Sequence, residues 1–324
     1  MTQRFTLEAA TDLAARAVRA AGASDEAARS LARATVSANA HGKGSSGFSH
    51  LMDYLSALQA GRIVGHAEPL VTSPAPATIH CDARGGIAQV GFDRAFDSLC
   101  ERAKTFGIAL FAQNSSYTTG ELGYYPRRLA EAGLAAFAAT SGPALMTVAG
   151  AKAPVYCTNP IAFAAPLDEG PPLLIDQASS ATAFVQLRHY AQQGEPLPEG
   201  WAVDADGAPT TDAKAAIRGA LLAFGGARGA NIALMVEVMA AGLAGANWAL
   251  DAPSFTSGDS SPGAGLLVIA IAPALLAPNF SERLRLQLDR LAKLGVHIPG
   301  RRAAVAEIEL SDALVSEIER AGAA

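Results

Sequence analysis

The sequence predicts an α/β protein led by a helical N-terminal segment, and three observations carry that prediction. Residues 107–112 form a short apolar run bounded by turn residues, the signature of a strand. Residues 127–132 repeat Leu and Ala at helical spacing. Between the two runs, residues 114–125 place glycines, hydroxyls and two tyrosines in a connecting loop. Strand, polar loop and helix in that order is where α/β enzymes put ligands, because glycine lets the backbone approach closely and a helix start offers unpaired N–H groups to an anion.

The elements follow in chain order. Residues 6–60 read as alanine-rich amphipathic helices with Thr6 and Ser24 as N-caps, each followed by acidic residues in the first turn, and with a break at residues 41–47. Residues 71–90 are strand-like and rich in turns, and residues 92–104 are helical. The strand at 107–112 and the loop at 114–125 come next, and residues 135–140 then read as a strand ending at Ser141, Gly142 and Pro143. The middle of the chain is punctuated by turn-forming clusters at 158–160, 173–180, 198–207 and 224–229. Residues 231–243 return as a helix ending at Gly245. Residues 251–265 form a polar loop rich in Ser, Gly and Pro. A strand at 266–271, a charged amphipathic helix at 281–294 and a short tail complete the chain.

Composition narrows the class. The 324 residues are 50% hydrophobic and 17% charged, with 31 glycines and 18 prolines, which describes an ordered globular protein with many tight turns. A net charge of -5 argues against nucleic-acid binding, which needs a clustered basic surface. The cysteines, at positions 81, 100 and 157, lack metal spacing and point to a reducing, cytoplasmic setting. The N-terminus shows no secretory signal, and the longest apolar run, at 265–277, is interrupted by Pro273 and shorter than the roughly 20 residues a bilayer requires. A soluble protein is expected. Histidines 41, 50, 66, 80, 189 and 297 form no ligand cluster with nearby carboxylates, so no metal site is expected. Neither a Gly-x-Gly-x-x-Gly after a first strand nor a Walker loop is present.

A series of segments is more specific than any one of them. In order they are Ser-Ser-Gly-Phe-Ser-His at 45–50 within a run to Tyr54, Gly-Glu-Leu-Gly-Tyr-Tyr at 120–125, Thr-Asn-Pro at 158–160, Asp-Gln-Ala-Ser-Ser at 176–180, Gly-Trp-Ala-Val-Asp at 200–204 with Asp206 and Gly207, Thr-Thr-Asp at 210–212, Gly-Gly-Ala-Arg-Gly at 225–229 and Ile-Pro-Gly-Arg-Arg at 298–302. Together they resemble the type 2 malate/L-lactate dehydrogenase family of NAD(P)-dependent oxidoreductases, over residues 5–302. The resemblance implies a non-Rossmann fold of the malate/L-lactate dehydrogenase (L-sulfolactate dehydrogenase-like) type, with a mixed sheet and flanking helices. It also implies a homodimer with the active site near the subunit interface. The implied division is a helical segment at 1–60 with the substrate loop, a substrate and dimerisation domain at 61–115 and 266–324, and an NAD(P)-binding domain at 116–265.

Two departures set the expected substrate. Most family members carry Ser-His-Gly where this chain has Ser45, Ser46 and Gly47, and an arginine where it has His50. In the hydroxy-acid dehydrogenases that histidine is the usual acid/base and the arginine holds the substrate carboxylate. Reducing a ketone delivers a proton to a developing alkoxide, whereas a cyclic imine protonated on nitrogen is already an electrophile. The same variant, with Thr-Thr-Gly-Glu-Leu-Gly-Tyr-Tyr, marks a subgroup similar to this chain, the Δ1-pyrroline-2-carboxylate reductases, which form L-proline with NADPH or NADH, typically in hydroxyproline degradation.

Candidate catalytic residues are Ser46, His50 and Asp176. Ser46 and His50, four apart, would share one helical face and contact a small substrate together. Asp176 follows the apolar run at 173–175 and matches the family aspartate near the nicotinamide. Tyr117, which replaces a family histidine, has no assigned role. Candidate cofactor contacts are Thr119, Gly120, Ser141, Thr158, Asn159, Ala178, Ser179, Ser180 and Gly226, through backbone N–H groups and hydroxyls, with Arg228 and Arg301 for phosphate. The expected function is NAD(P)H-dependent reduction of Δ1-pyrroline-2-carboxylate, or its six-membered homologue, with NADPH as cofactor. A 2-hydroxy-acid dehydrogenase and a descendant that only binds a nucleotide or small molecule are the alternatives.

Overall fold

A computed structural model describes residues 1–148, 151 and 153–321. The chain opens with a strand, β1 (Thr2–Thr6), and three helices: α1 (Leu7–Ala20), α2 (Asp25–Ala40) and α3 (Phe48–Gln59). Both expected caps form, since Thr6 Oγ1 accepts from the Ala9 N–H and Ser24 Oγ from the Ala27 N–H. A 3-10 turn, Gly44–Ser46, separates α2 from α3.

Next come β2 (Leu70–Ala75), β3 (Thr78–Asp82), α4 (Ala88–Phe106), β4 (Ile108–Ser116), α5 (Tyr124–Glu131) and β5 (Ala135–Thr140). Helix α4 begins four residues before the expected 92, α5 three before the expected 127, and β4 runs into what reads as loop. Strand β4 is extended because residues through Ser116 find partners in a neighbouring strand, β12 (Ala264–Ile271). Tertiary pairing thus overrides the local preference of Asn and Ser for turns.

The middle of the chain contributes β6 (Met146–Thr147), β7 (Ile161–Ala165), β8 (Leu173–Gln177), α6 (Phe184–Gln193), β9 (Ala202–Val203), β10 (Pro209–Thr210), α7 (Ala213–Arg218), β11 (Ala220–Leu222) and α8 (Ala227–Glu237). Helix α8 continues as a π-helical turn, Val238–Leu243. After β12 come α9 (Pro273–Leu276), α10 (Phe280–Lys293), β13 (Glu307–Ser311) and α11 (Asp312–Ala321). The tail is therefore structured. Strand β13 pairs antiparallel with β1, and Ile308, Leu310, Val315 and Ile318 close the core beneath α1–α3.

The main sheet has seven strands in the order β2-β3-β4-β12-β5-β7-β8, and only β3 and β4 are parallel neighbours. That one parallel pair needs a crossover, which α4 supplies. Strand β12 is the long apolar run of the sequence, paired on both edges and almost wholly buried, which is why it reads as a continuous hydrophobic stretch and not an alternating one. A separate four-stranded sheet, β10-β9-β11-β6, has its own core around Met146, Leu187, Leu197 and Leu221. The seven-stranded sheet draws on all three segments 61–115, 116–265 and 266–324, while the four-stranded sheet lies within 116–265. Among the described residues, no helix is long and apolar enough to cross a membrane.

The alanine-rich face of the N-terminal helices is consumed inside the chain. Ala10, Ala14, Ala17, Ala28 and Ala32 pack with Leu13, Leu31, Leu51 and Tyr54 in one core. Small residues let α1 and α2 approach closely, so the stripe reflects intramolecular helix packing.

Candidate active site

The site is organised around the loop that leaves β4, residues 117–123. The end of α2 prepares one wall. Asn39 Oδ1 accepts the Phe48 N–H at 2.8 Å, capping α3 from a neighbouring helix. Gly47 lies in that crossing, and a Cβ there would fall 1.9 Å from Asn39 Oδ1. With Gly47 at φ -99° and ψ -121°, the backbone leaves the helical region between Ser46 and His50. The expected shared helical face is therefore not formed: Ser46 ends the 3-10 turn and His50 lies in the first turn of α3.

His50 is held on both sides. Its Nδ1 lies 2.8 Å from Asp53 Oδ2, and its Nε2 lies 3.3 Å from Thr118 Oγ1 in the loop. The ring also meets Tyr54 edge-on, with centroids 5.0 Å apart. Thr118 in turn donates to Tyr54 Oη at 2.5 Å, and Tyr54 Oη donates to the Thr118 carbonyl. Burial works against the charge of Asp53, but the hydrogen bond and charge of His50, with Arg188, outweigh it and hold the carboxyl below its usual range. Arg188 reaches Asp53 from α6, at 3.5 Å.

Asp176 stands on β8 on the other side of the same loop. Its Oδ2 accepts the Gly123 N–H at 3.0 Å, at the start of α5. Burial pushes its carboxyl upward, and the nearby Glu121 charge adds to the shift, against smaller opposing effects of the Gly123 N–H, Lys43 and Arg127. Glu121 is itself bound bidentately by Arg127, at 3.1 and 3.0 Å, and Arg127 also donates to Ser37 Oγ. Both partners of this ion pair are buried. The loop thus joins a carboxylate–imidazole pair to a half-buried carboxyl kept toward its neutral form.

Tyr117 points elsewhere. Its hydroxyl donates to the Phe255 carbonyl at 2.8 Å, burial pushes its pKa up to about 12, and it anchors the polar loop before β12. Arg62 holds the same loop through the Gly258 carbonyl. Two surface clefts, one beside Arg102 and the other beside Arg29 and Arg94, touch none of these residues.

The candidate cofactor residues fall into groups. Thr119 and Gly120 are in the loop, where the Thr119 carbonyl accepts from Gln89 and from Tyr125 Oη. Thr158, Asn159, Ala178, Ser179 and Ser180 bring the chain after β8 against the turn before β7. Ser179 Oγ donates to the Asn159 carbonyl and its N–H to the Thr158 carbonyl, while Ser180 Oγ donates to the Thr182 carbonyl. Asn159 Nδ2 donates to Glu237 and to the Ala233 carbonyl, tying this turn to α8. Gly225 and Gly226, at φ 58° and 63°, turn the chain into α8, whose N-terminus has no side-chain cap, and Arg228 is exposed in its first turn. A side chain at Gly226 would strain that turn.

These features fit a dinucleotide. Among the described residues, Ser141 Oγ and Asn159 Oδ1 are buried polar atoms without hydrogen-bond partners, and the uncapped α8 start presents N–H groups suited to phosphate. The Arg301 guanidinium donates to Asp289 on α10 at 2.7 Å, and the preceding Gly300 packs on Leu174 of β8.

Asp53, Thr118, Glu121, Arg127 and Arg188 were not singled out in the sequence. Asp53 left a signal there, three residues after His50 on a helix, and Thr118 and Glu121 lie within the quoted Thr-Thr-Gly-Glu-Leu-Gly-Tyr-Tyr segment.

A family model described as malate/L-lactate dehydrogenase matches residues 5–312. A (2R)-3-sulfolactate dehydrogenase (NADP(+)) of Chromohalobacter salexigens is 36% identical over 98% of each chain. A Δ1-pyrroline-2-carboxylate/Δ1-piperideine-2-carboxylate reductase of Pseudomonas aeruginosa is 36% identical over 92% of this chain and 91% of its own. The crystal structure of Δ1-piperideine-2-carboxylate reductase from Pseudomonas syringae superposes with a TM-score of 0.92 at 32% identity, covering 98% of this chain and 99% of that one.

Proposed function

We infer the activity from one premise: the chain belongs to the malate/L-lactate dehydrogenase family. Within it, the protein is an NAD(P)H-dependent oxidoreductase that reduces the carbon–nitrogen double bond of a small cyclic imino acid. Its substrates are Δ1-pyrroline-2-carboxylate and the six-membered Δ1-piperideine-2-carboxylate, giving L-proline and L-pipecolate, and NADPH is the cofactor. The observation that best supports this is Asp176, a half-buried carboxyl held toward its protonated form beside the loop that also carries the His50 contact.

Imine reduction needs a proton on nitrogen and a hydride on the adjacent carbon. The bound nicotinamide supplies the hydride. Asp176 holds the proton close to where the nitrogen sits, and Ser46 with His50 positions the imino acid. The unpartnered Ser141 Oγ and Asn159 Oδ1, the Ser179–Ser180 turn and the Gly226–Arg228 helix start would hold the dinucleotide, with Thr119 and Gly120 contributing from the loop. We assign nucleotide binding to 116–265 and substrate binding to 1–60 with 61–115 and 266–324.

The sulfolactate dehydrogenase relative favours a second reading, a 2-hydroxy-acid dehydrogenase. NADPH absorbance decay separates the two. The protein is expected to consume NADPH faster with Δ1-pyrroline-2-carboxylate than with pyruvate or oxaloacetate; faster turnover of the oxo acids replaces the imine reading with the hydroxy-acid one.

A role in hydroxyproline degradation, a cytoplasmic location and a homodimer complete the proposal. Buried free cysteines suit a reducing compartment. The exposed side chains of Leu234, Met235, Val238 and Leu243 on α8 and its π-turn supply the apolar face for a dimer. Light scattering at micromolar concentration is expected to give twice the chain mass, and a purely monomeric protein overturns the assignment.

A further inference from the structure

We propose that Asp53 is a positioning residue for the reaction, fixing the His50 ring so that Nε2 is the nitrogen that faces the substrate. The inference rests on His50 serving the imine reduction proposed above, and it follows from the hydrogen-bond arithmetic around the ring.

An ionised carboxylate only accepts hydrogen bonds. Asp53 Oδ2 lies 2.8 Å from His50 Nδ1, and Arg188 Nη2, from the helix that covers the four-stranded sheet, lies 3.5 Å from the same oxygen. The His50 hydrogen bond and charge, with the Arg188 guanidinium, hold Asp53 below its usual range, and an ionised Asp53 has nothing to donate, so Nδ1 must carry a hydrogen. The neutral ring is then the Nδ1–H tautomer, with Nε2 on the Thr118 side. Thr118 accommodates both states of Nε2. Its hydroxyl accepts from Nε2–H while donating to Tyr54 Oη, or it turns its own proton toward a bare Nε2.

The groups facing the ring are few. Asp53 lies on its own helix, Thr118 comes from the loop, Tyr54 is edge-on, and Arg188 stands behind Asp53. With His50 and Asp53 only about one-fifth exposed, at 20% and 23%, the ring is held by its neighbours and not by solvent. Removing Asp53 frees Nδ1 to lose its hydrogen and the ring to rotate, and the geometry of Nε2 is lost.

The test combines a spectroscopic and a kinetic measurement. In protein labelled with 15N-histidine, wild type is expected to show an Nδ1–H signal that disappears in His50→Gln and is therefore assigned to His50. Asp53→Ala should abolish that signal and lower kcat for the cyclic imine about 10- to 100-fold, with a smaller change in KM. In a His50→Gln background, adding Asp53→Ala should cost less than about two-fold, because both residues act through one ring. Asp53→Asn, which keeps the side chain's shape, provides the same comparison if the alanine variant does not fold. An Nδ1–H signal that persists without Asp53, or an equal kinetic loss with and without His50, overturns the proposal. Should the protein reduce no cyclic imine, the proposed function fails by itself, and the ring-nitrogen signal still decides the Asp53 assignment.

Discussion

Asp176→Asn is expected to lower turnover of the cyclic imine by about 10²-fold or more while leaving the fold intact. Asparagine has nearly the same shape, and its carbonyl oxygen can still accept the Gly123 N–H, so the contact at the start of α5 survives. What is lost is the ability to hold a proton. Burial, with the Glu121 charge behind it, raises the Asp176 carboxyl in the folded protein above its value in the unfolded chain. The stability such a group contributes is fully present below the unfolded carboxylate value and is lost as the pH rises through the folded one. Asp176 therefore costs the wild type stability above the unfolded carboxylate value, and the asparagine variant escapes that cost. Thermal melts should place Asp176→Asn at or above wild type at pH 8 and closer to it, or below it, at pH 4. Full activity in the variant would remove Asp176 from the mechanism.

The same residue marks how far the sequence could be read. Its position after an apolar run put it on a strand, and β8 contains it. Its partner, the Gly123 N–H, lies 53 residues away and left no local trace. Elements with a strong local signature were legible throughout. The caps at Thr6 and Ser24 form, the break at 41–47 separates α2 from α3, and β5, β12 and α10 lie within two residues of their expected bounds. Elements that exist only through pairing were missed. Strand β1 and strand β13 support one another across more than 300 residues, although the alternating burial of Ile308 and Leu310 was available to a period-two reading. The π-turn after α8 was likewise invisible, because a helix and its widened last turns share one apolar pattern.

The candidate site was half legible for a comparable reason. Residue types that stand in loops, such as Thr119, Ser141 and Gly226, announce themselves by composition. The charged residues that set the site's electrostatics do so through long-range contacts. Arg127 sits within an ordinary helical pattern, and nothing local distinguishes it from Arg128, which instead stacks on Phe96 and pairs with Asp93. One turns inward to Glu121 and the other lies over aromatic rings, a choice made by the packing of α5 on the sheet. The four-apart spacing of Ser46 and His50 misled because Ser46 belongs to the break at 41–47 and His50 to the helix after it, with Gly47, packed closely on Asn39, turning the chain between them.

Arg127→Met is expected to be the most destabilising single change in the site region. Arg127 and Glu121 are bound bidentately with almost no access to water, their side chains 3% and 2% exposed. Methionine fills similar volume but leaves the Glu121 carboxylate buried without its counter-charge and Ser37 Oγ without a donor. Breaking one partner of a buried pair typically costs about 3–5 kcal/mol, whereas replacing both is often nearly neutral. Glu121→Gln with Arg127→Met removes the stranded charge, so the double variant should recover much of the stability that Arg127→Met loses. The pair also acts on the chemistry. Glu121 already raises the Asp176 carboxyl, and without Arg127 only the Gly123 N–H and Lys43 oppose that effect, which pushes Asp176 further toward its protonated form. Urea denaturation of wild type, single and double variants reads the stability directly. An Arg127→Met protein as stable as the double variant would mean that Glu121 sheds its charge or reaches solvent when Arg127 is gone, and the ion pair would then not be what fixes the loop between β4 and α5.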